Sequence, residues 1–275
     1  MSSPVSPAPT FTIDALYLYP VKGCGALAVD QLLIDAEGGA TGDRHWAIVN
    51  ARGEVTWQGD HPRLALVHPG PVDGALVLTT PGMAPVHIPT EGPLSPVHVT
   101  IWNDRERRAE VFDAEDAGQA AAAWLTRVTG ALLRLVRLGE AARRRDSVNR
   151  LHMTTRASAD AVDRHLAEAG DAPADPRRYR ANVVLRGDAP AFEEDFLQAF
   201  EGPAGRIEVT SPCVRCVVPN VDPSDASVSP RPLEALTALS AVHHPGKPTT
   251  FGVYGRAAPG TRLATGDVFS GDYAF

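Results

Sequence analysis

The chain has 275 residues, enough for one large domain or two, and 44% of them are apolar, so a sizeable core is possible and global disorder is excluded. A net charge of −7 argues against sequence-independent binding to nucleic acid or to an acidic membrane surface. With 24 Gly and 24 Pro the chain should turn often, which favours short strands over long helices.

Met1 to Thr10 is rich in Ser, Pro and Ala and reads as a disordered lead-in, with neither the basic nor the apolar segment of a signal peptide. Phe11 to Tyr19 is a β-rich run ended by Pro20, and Lys22-Gly23-Cys24-Gly25 is a glycine-bounded turn. His45 to Asn50 and Glu54 to Trp57 read as a hairpin around Ala51-Arg52-Gly53. Val97, Val99 and Ile101 alternate with His98, Thr100 and Trp102, as in a half-buried strand.

Ala117, Ala120, Trp124 and Val128 share one stripe of a helix running from about Asp116 to Arg127, with Gly130 placed to cap it. Leu132 to Leu138 returns as a strand. Gly139 to Arg150 is charged and poor in apolar residues, so the boundary is expected there, dividing 11–139 from 140–275. In the second half Ser158 can cap a helix carrying Val162 and Leu166, followed by a strand at Ala181 to Leu185 and a short helix at Phe192 to Phe200. Arg206 to Thr210 is a strand leading into Ser211-Pro212-Cys213-Val214-Arg215-Cys216. A helix at about Leu233 to Leu239 and strands at Phe251 to Tyr254 and Val268-Phe269 complete the chain. Strands do not alternate regularly with crossover helices. The expected fold class is therefore mixed and β-rich: an N-terminal β-barrel-like domain and a C-terminal β-barrel with attached helices.

Three cysteines cannot all pair within one chain, and without a secretory signal a reduced, cytoplasmic setting is expected. No apolar run approaches the ~20 residues of a membrane span. The Cys213–Cys216 pair admits several chemistries. A structural zinc site needs four ligands, and no His-x3–5-His pair is present to complete one. Zinc-dependent nucleobase deaminases need an upstream His-x-Glu, which none of the nine histidines provides. A thioredoxin-type dithiol needs a helix after the pair, where Pro219 and Pro223 stand. Two buried cysteines serving as small hydrophobes remain open, more readily for Cys213 than for Cys216.

An ordered set of motifs narrows the choice. The first half carries Leu18-Tyr19-Pro20-Val21-Lys22-Gly23-Cys24, Gly42-Asp43-Arg44-His45-Trp46, Pro62-Arg63-Leu64 and Ala122-Ala123-Trp124-Leu125. The second half carries Arg180-Ala181-Asn182-Val183-Val184, Pro212-Cys213-Val214-Arg215-Cys216, Val221-Asp222-Pro223, Pro232-Leu233-Glu234-Ala235-Leu236, Phe251-Gly252 and Gly266-Asp267-Val268. Each alone is weak. In this order, from Phe11 onward, they resemble the MOSC-domain proteins preceded by their N-terminal β-barrel domain. They resemble in particular the branch that includes the mitochondrial amidoxime-reducing component and its bacterial relatives.

The resemblance implies a molybdenum cofactor (Mo-molybdopterin), with Cys216 as the protein's thiolate ligand to the metal and a catalytic group. Thiolate suits a soft, sulfur-bound redox metal. It also implies that Lys22, Arg44 and Arg180 meet the cofactor's phosphate, with Gly23 letting a backbone amide approach the anion. Asn182 and Thr155 are further cofactor-pocket candidates. Asp222 is a catalytic candidate that either orients the cysteine loop or delivers protons. The implied activity is reduction of N-hydroxylated compounds (amidoximes, hydroxylamines, N-hydroxylated bases) in a monomer fed by a separate electron-transfer protein of ferredoxin or flavin-reductase type. No iron–sulfur domain or membrane anchor is read in the chain. The alternative is a molybdenum cofactor carrier or sulfur-handling module without turnover. One departure stands out: relatives often show Thr-Ala-Arg before an acidic-Pro pair, where this chain has Thr56-Trp57-Gln58-Gly59-Asp60-His61-Pro62.

Overall fold

The computed structural model describes residues 8–92, 94–104, 106–145 and 150–274. Most of the expected lead-in, residues 1–7, lies outside the described residues, and so do 146–149 of the expected boundary. The chain is β-rich, with 43% strand and 22% helix, and contains a closed seven-strand barrel.

The barrel runs in the order Val183–Gly187, Leu151–Thr155, Thr250–Ala257, Gly205–Val214, Leu197–Gly202, Val268–Tyr273 and Thr10–Leu18. The last of these closes onto the first, with Leu16 opposite Val183. One pair, Leu151–Thr155 with Val183–Gly187, is parallel. A parallel pair cannot be joined by a tight turn, and the helix α3, Arg156–Glu168, lies in the crossover between them. Phe11, Ile13, Met153, Phe200, Ile207, Val253 and Phe269 fill the interior, with Phe11 and Phe200 edge to face at 5.2 Å.

A five-stranded sheet runs Val55–Thr56, Trp46–Val49, Arg134–Leu138, Arg108–Asp116, Ser95–Asn103. Its second strand is buried on both faces. Trp46 and Ile48 pack with Trp124 and Leu125 of helix α1, Gln119–Thr129, whereas Ala47 and Val49 pack with Ile101, Val136 and Ala142. Helix α1 ends as expected at Gly130, which is left-handed at φ 77°. A three-stranded sheet, His68–Val72, Ala75–Thr80 and Met83–Pro89, covers the other side of α1, and Trp124 Nε1 donates to Ala84 O at 2.7 Å. A short helix α2, Glu140–Arg144, occupies the expected boundary, and α4, Arg231–His243, packs with α3 around Tyr179, Phe192 and Phe251. No helix among the described residues is long and apolar enough to cross a membrane.

One expectation differs from the structure. The helix expected at Phe192 to Phe200 is a single 3-10 turn, Glu193–Phe196, followed by the barrel strand Leu197–Gly202. Phe192 sits at φ 67°, which breaks any helix there, and the strand is set by a hairpin in which Gly202 faces Gly205. Strand pairing also links residues on the two sides of 139/140. Residues 10–33 supply barrel strand Thr10–Leu18, its neighbour Leu27–Val29, and Gln31–Leu33, which pairs with Arg262–Ala264.

Candidate functional site

A cavity of about 350 Å³ opens between the barrel and the five-stranded sheet. Lys22, Arg44 and His45 line it from the segments joining the two, His152 and Tyr254 from the barrel, and Trp102 and Asp104 from the far sheet. Asp35, Glu37 and Asp43 add carboxylates to its wall, and Arg143, Arg144, Arg145 and Arg150 line it from α2 and the residues that follow.

Lys22 follows Val21, whose bridge to Trp46 ties the first segment to the sheet, and its amide donates to Trp46 O at 2.8 Å. Its ammonium forms no ion pair among the described residues. Burial, with Arg145 as the leading neighbouring charge, pulls its pKa down to about 8. Asp104 and Cys216 act in the opposite sense, which puts the Cys216 thiol within electrostatic reach of Lys22.

Arg44 and Arg180 are both left-handed, at φ 54° and 59°, a conformation that costs a side-chain-bearing residue about 1–2 kcal/mol. Both guanidinium groups lie over the Tyr19 ring, at 5.0 and 4.3 Å from its centroid. Arg44 pairs with Asp43 and points further donors at Asn182 Oδ1 and Arg180 O, each at 3.4 Å. Asn182 is fully buried and ties three segments together. Its amide donates to Tyr17 O and Asp43 Oδ1, and its Oδ1 accepts from the His152 amide at 3.2 Å. Arg180 donates to Cys24 O, leaves Nη2 buried without a partner, and is drawn down to about 10 by burial. It borders a separate, smaller cleft with Gln58, His68 and Arg178.

The cysteine pair divides. Cys213 is 1% exposed, and its sulfur accepts from Arg215 Nη1 at 3.0 Å and is hydrogen-bonded by His152 and Tyr254. Burial pushes the thiol up, but His152, Arg215 and those hydrogen bonds outweigh it and hold the pKa at about 6. Cys216 is exposed and lies outside the cavity lining. The loop around it is pinned from inside. Arg215 Nη2 donates to Tyr179 O at 3.0 Å, Arg178 Nη1 to Pro219 O at 3.1 Å, and Asn220 Oδ1 accepts from the first turn of α4 at Leu233. With Arg215 turned inward, Cys216 faces out.

Three expected site residues make structural contacts of their own. Thr155 caps α3: its hydroxyl accepts from the Ser158 amide at 3.1 Å and donates to the buried Glu194 at 3.1 Å. Gly23, at φ 83°, turns its bare side to the Trp57 backbone, where a Cβ would meet the Trp57 Cα at 3.2 Å. The packing of the 56–60 loop therefore accounts for this glycine. Asp222 pairs with Arg178 and accepts from the Ser224 amide at 2.8 Å, so of its two candidate roles the geometry supports orienting the cysteine loop. The departing segment Trp57–Gly59 is close at hand, since a Cβ on Gly59 would lie 3.1 Å from a Val217 methyl.

Sequence reasoning missed Arg143, Arg145 and Arg150, which line the cavity, and His152 and Tyr254 at its base. Four arginines between 143 and 150 in an acidic protein were a usable signal. Among the described residues, the Nε of Arg143, Arg145 and Arg150 is buried without an acceptor. Unpaired donors and cations with depressed pKa values fit an anionic organic group, which would supply the missing acceptors.

Comparison with known proteins bears on what that group is. Residues 10–131 match the MOSC N-terminal beta barrel domain, and residues 144–270 match the MOSC domain. The chain is a MOSC-domain protein. It is 27% identical over 250 residues to the mitochondrial amidoxime reducing component 2 of Bos taurus, covering 82% of this chain and 71% of that protein. It is 25% identical over 245 residues to the molybdenum cofactor sulfurase of Homo sapiens, covering 76% of this chain and 26% of that protein. This MOSC-domain protein thus spans about a quarter of the length of that sulfurase. A solved structure, the YUAD protein from Bacillus subtilis, aligns over 96% of this chain and 97% of its own, with 12% identity and a TM-score of 0.44, a likeness that carries no argument about function.

Proposed function

We propose that this MOSC-domain protein binds a molybdenum cofactor, with Cys216 as thiolate ligand, and reduces N-hydroxylated compounds using electrons from a separate protein. The observation that carries the reading is the exposed Cys216 thiol within electrostatic reach of Lys22, at a cavity where Lys22, Arg143, Arg145 and Arg150 form no ion pair among the described residues. A dithiolene-bound metal with a pterin phosphate is anionic and needs both a soft sulfur ligand and cations. When bound, the cofactor supplies the two-electron redox centre.

The chain's own residues do the rest. Lys22 places a positive charge within electrostatic reach of Cys216. Arg178 and Asp222 hold the loop that presents it, and Arg44 and Asn182 lock the barrel to the neighbouring segments. Reduction breaks the N–O bond of a hydroxylamine or amidoxime, consumes two electrons and two protons, and releases the amine or amidine with water. Half-exposed Trp102 at the cavity wall offers a flat apolar surface to a planar substrate.

The test is molybdenum content of protein made in a cofactor-synthesising host, together with benzamidoxime reduction by an artificial electron donor. About one molybdenum per chain with turnover supports the reading. The match to cofactor sulfurases favours one alternative, a carrier or sulfur-handling module, which would contain molybdenum but show no turnover. A folded chain without molybdenum refutes both.

A further inference from the structure

We propose that Arg143, Arg145 and Arg150, together with Lys22, form a phosphate-binding subsite in the cavity wall; of the three residues that the resemblance assigns to a phosphate, Lys22 belongs to it, whereas Arg44 and Arg180 are engaged elsewhere. All four residues line the same cavity. Arg143 comes from α2, Arg145 from its C-terminal end, and Arg150 precedes the barrel strand Leu151–Thr155.

Among the described residues none of the four forms an ion pair, and each of the three arginines has a buried Nε without an acceptor. Their other donors find only carbonyls: Arg145 Nη1 reaches Ala142 O, and Arg150 Nη1 reaches Arg143 O at 2.9 Å. The charges also oppose one another. Burial and then Arg150 hold Arg145 below the usual arginine range, and Arg145 is the leading charge against Lys22. Carboxylates stand near without pairing: Asp104 by Lys22, Glu110 by Arg145, Asp35 and Glu37 by Arg150. Glu37 is taken by Arg144, and Asp35 Oδ1 accepts the Glu37 and Gly39 amides at 3.0 Å each.

The neighbouring arginines show what a satisfied charge looks like here. Arg144, in the same run, is exposed and paired with both Glu37 and Glu140. Arg44 is committed to Asp43, whereas Arg180, which also keeps a buried Nη2 without a partner, stacks on Tyr19 and borders another cleft. Half-buried like charges without counter-ions destabilise a fold, so their retention points to a counter-ion that is a ligand. Phosphate matches the donors: it carries up to two charges and presents several oxygens to guanidinium forks and to a lysine. It could arrive as the cofactor's own terminal phosphate or on a phosphorylated substrate. The subsite stands whether or not the chain proves to be a reductase.

The test uses the full chain, prepared both without cofactor and loaded with it, and titrated with inorganic phosphate in a calorimeter at constant ionic strength. Cofactor-free wild type should bind phosphate saturably, one per chain. Arg145→Gln and Arg150→Gln should each weaken that binding by about tenfold or more. Arg144→Gln should stay within about twofold of wild type, since its charge is already paired. Because the first two variants remove unpaired cations, their thermal midpoints without phosphate should equal or exceed that of wild type, which keeps lost binding distinct from lost folding. If the loaded protein no longer binds phosphate, the subsite carries the cofactor's own group; if it still binds, the subsite serves a phosphorylated substrate. Absence of saturable binding in cofactor-free wild type would overturn the proposal. So would Arg145→Gln and Arg150→Gln binding as wild type does.

Discussion

Cys213 receives Arg215, His152 and Tyr254 at its sulfur, while Cys216, three residues on, is exposed and has its loop held from behind by Arg178 and Arg215. Truncating the two should therefore have opposite consequences. Cys216→Ala removes no packing, so its thermal midpoint should stay within about 2 °C of wild type. Its molybdenum content should fall to about a tenth or less, as expected when a metal loses its protein ligand. Cys213→Ala leaves three buried partners unsatisfied and should cost about 1–3 kcal/mol, read as a lower urea midpoint, while the folded fraction keeps its molybdenum. A metal-free dithiol predicts instead that both substitutions abolish activity alike. Equal molybdenum loss in the two variants would refute the assignment of Cys216 as ligand. Part of this was legible in the sequence, because the spacing and downstream prolines excluded the dithiol helix. The inward turn of Arg215 depends on Tyr179 and Thr249, which are remote in sequence, and no local signal reports it.

At the N-terminus of α3, Thr155 and Ser158 both direct hydroxyls at Glu194, a carboxylate that is 1% exposed. Burial raises its pKa to about 7, and the hydrogen bonds from Ser158 and Thr155 offset only part of that cost. The folded protein thus keeps a proton on Glu194 that the unfolded chain releases near its ordinary 4.5. Unfolding releases a proton between those values, so stability should fall as pH rises from about 4.5 to 7, by roughly 3 kcal/mol at most. Glu194→Gln should flatten that slope and be the more stable form at pH 7.5, as urea titrations of the two proteins would show; parallel pH profiles would refute the assignment. The same element shows where local reading stops. Helix α3 was legible from Val162 and Leu166, but its cap is Thr155 and not Ser158, because a hydroxyl three residues before the expected cap meets the same carboxylate. The stretch after Phe192 was misread as helix since its strand character comes from pairing with Gly205–Val214 and Val268–Tyr273. Arg143, Arg145 and Arg150 were passed over because a charged, apolar-poor run reads as a boundary when nothing shows that it faces a cavity.

At the scale of the whole molecule the barrel is closed by a strand from the far end of the chain. Thr10–Leu18 hydrogen-bonds to Val183–Gly187 on one edge and Val268–Tyr273 on the other, so without it both edges are open. Phe11, Ile13 and Leu16 of that strand are each 1% exposed, and burying such a side chain is worth roughly 1.5–3 kcal/mol. Losing three of them removes much of the ~5–15 kcal/mol by which a domain is stable. Long-range pairing of this kind has no signature in composition or periodicity, so no local signal shows that residues 10–33 pair with strands of the second half. A fragment of residues 140–275 should consequently fail to fold, giving broad, poorly dispersed amide signals and aggregation on size exclusion. Fusing residues 8–41 ahead of that fragment through a flexible linker restores the closing strand and Gln31–Leu33, which pairs with Arg262–Ala264, and should give a dispersed spectrum and a cooperative urea transition. Should the shorter fragment fold cooperatively by itself, barrel closure would not be what stabilises this half. The cavity depends on the same closure, because His152 and Tyr254 sit on barrel strands while Lys22 and Arg44 lie on the segment that leaves the closing strand. The fused chain should therefore fold yet bind phosphate weakly, since the sheet residues Ala47, Val49, Ile101 and Val136, against which Ala142 seats α2, would be missing.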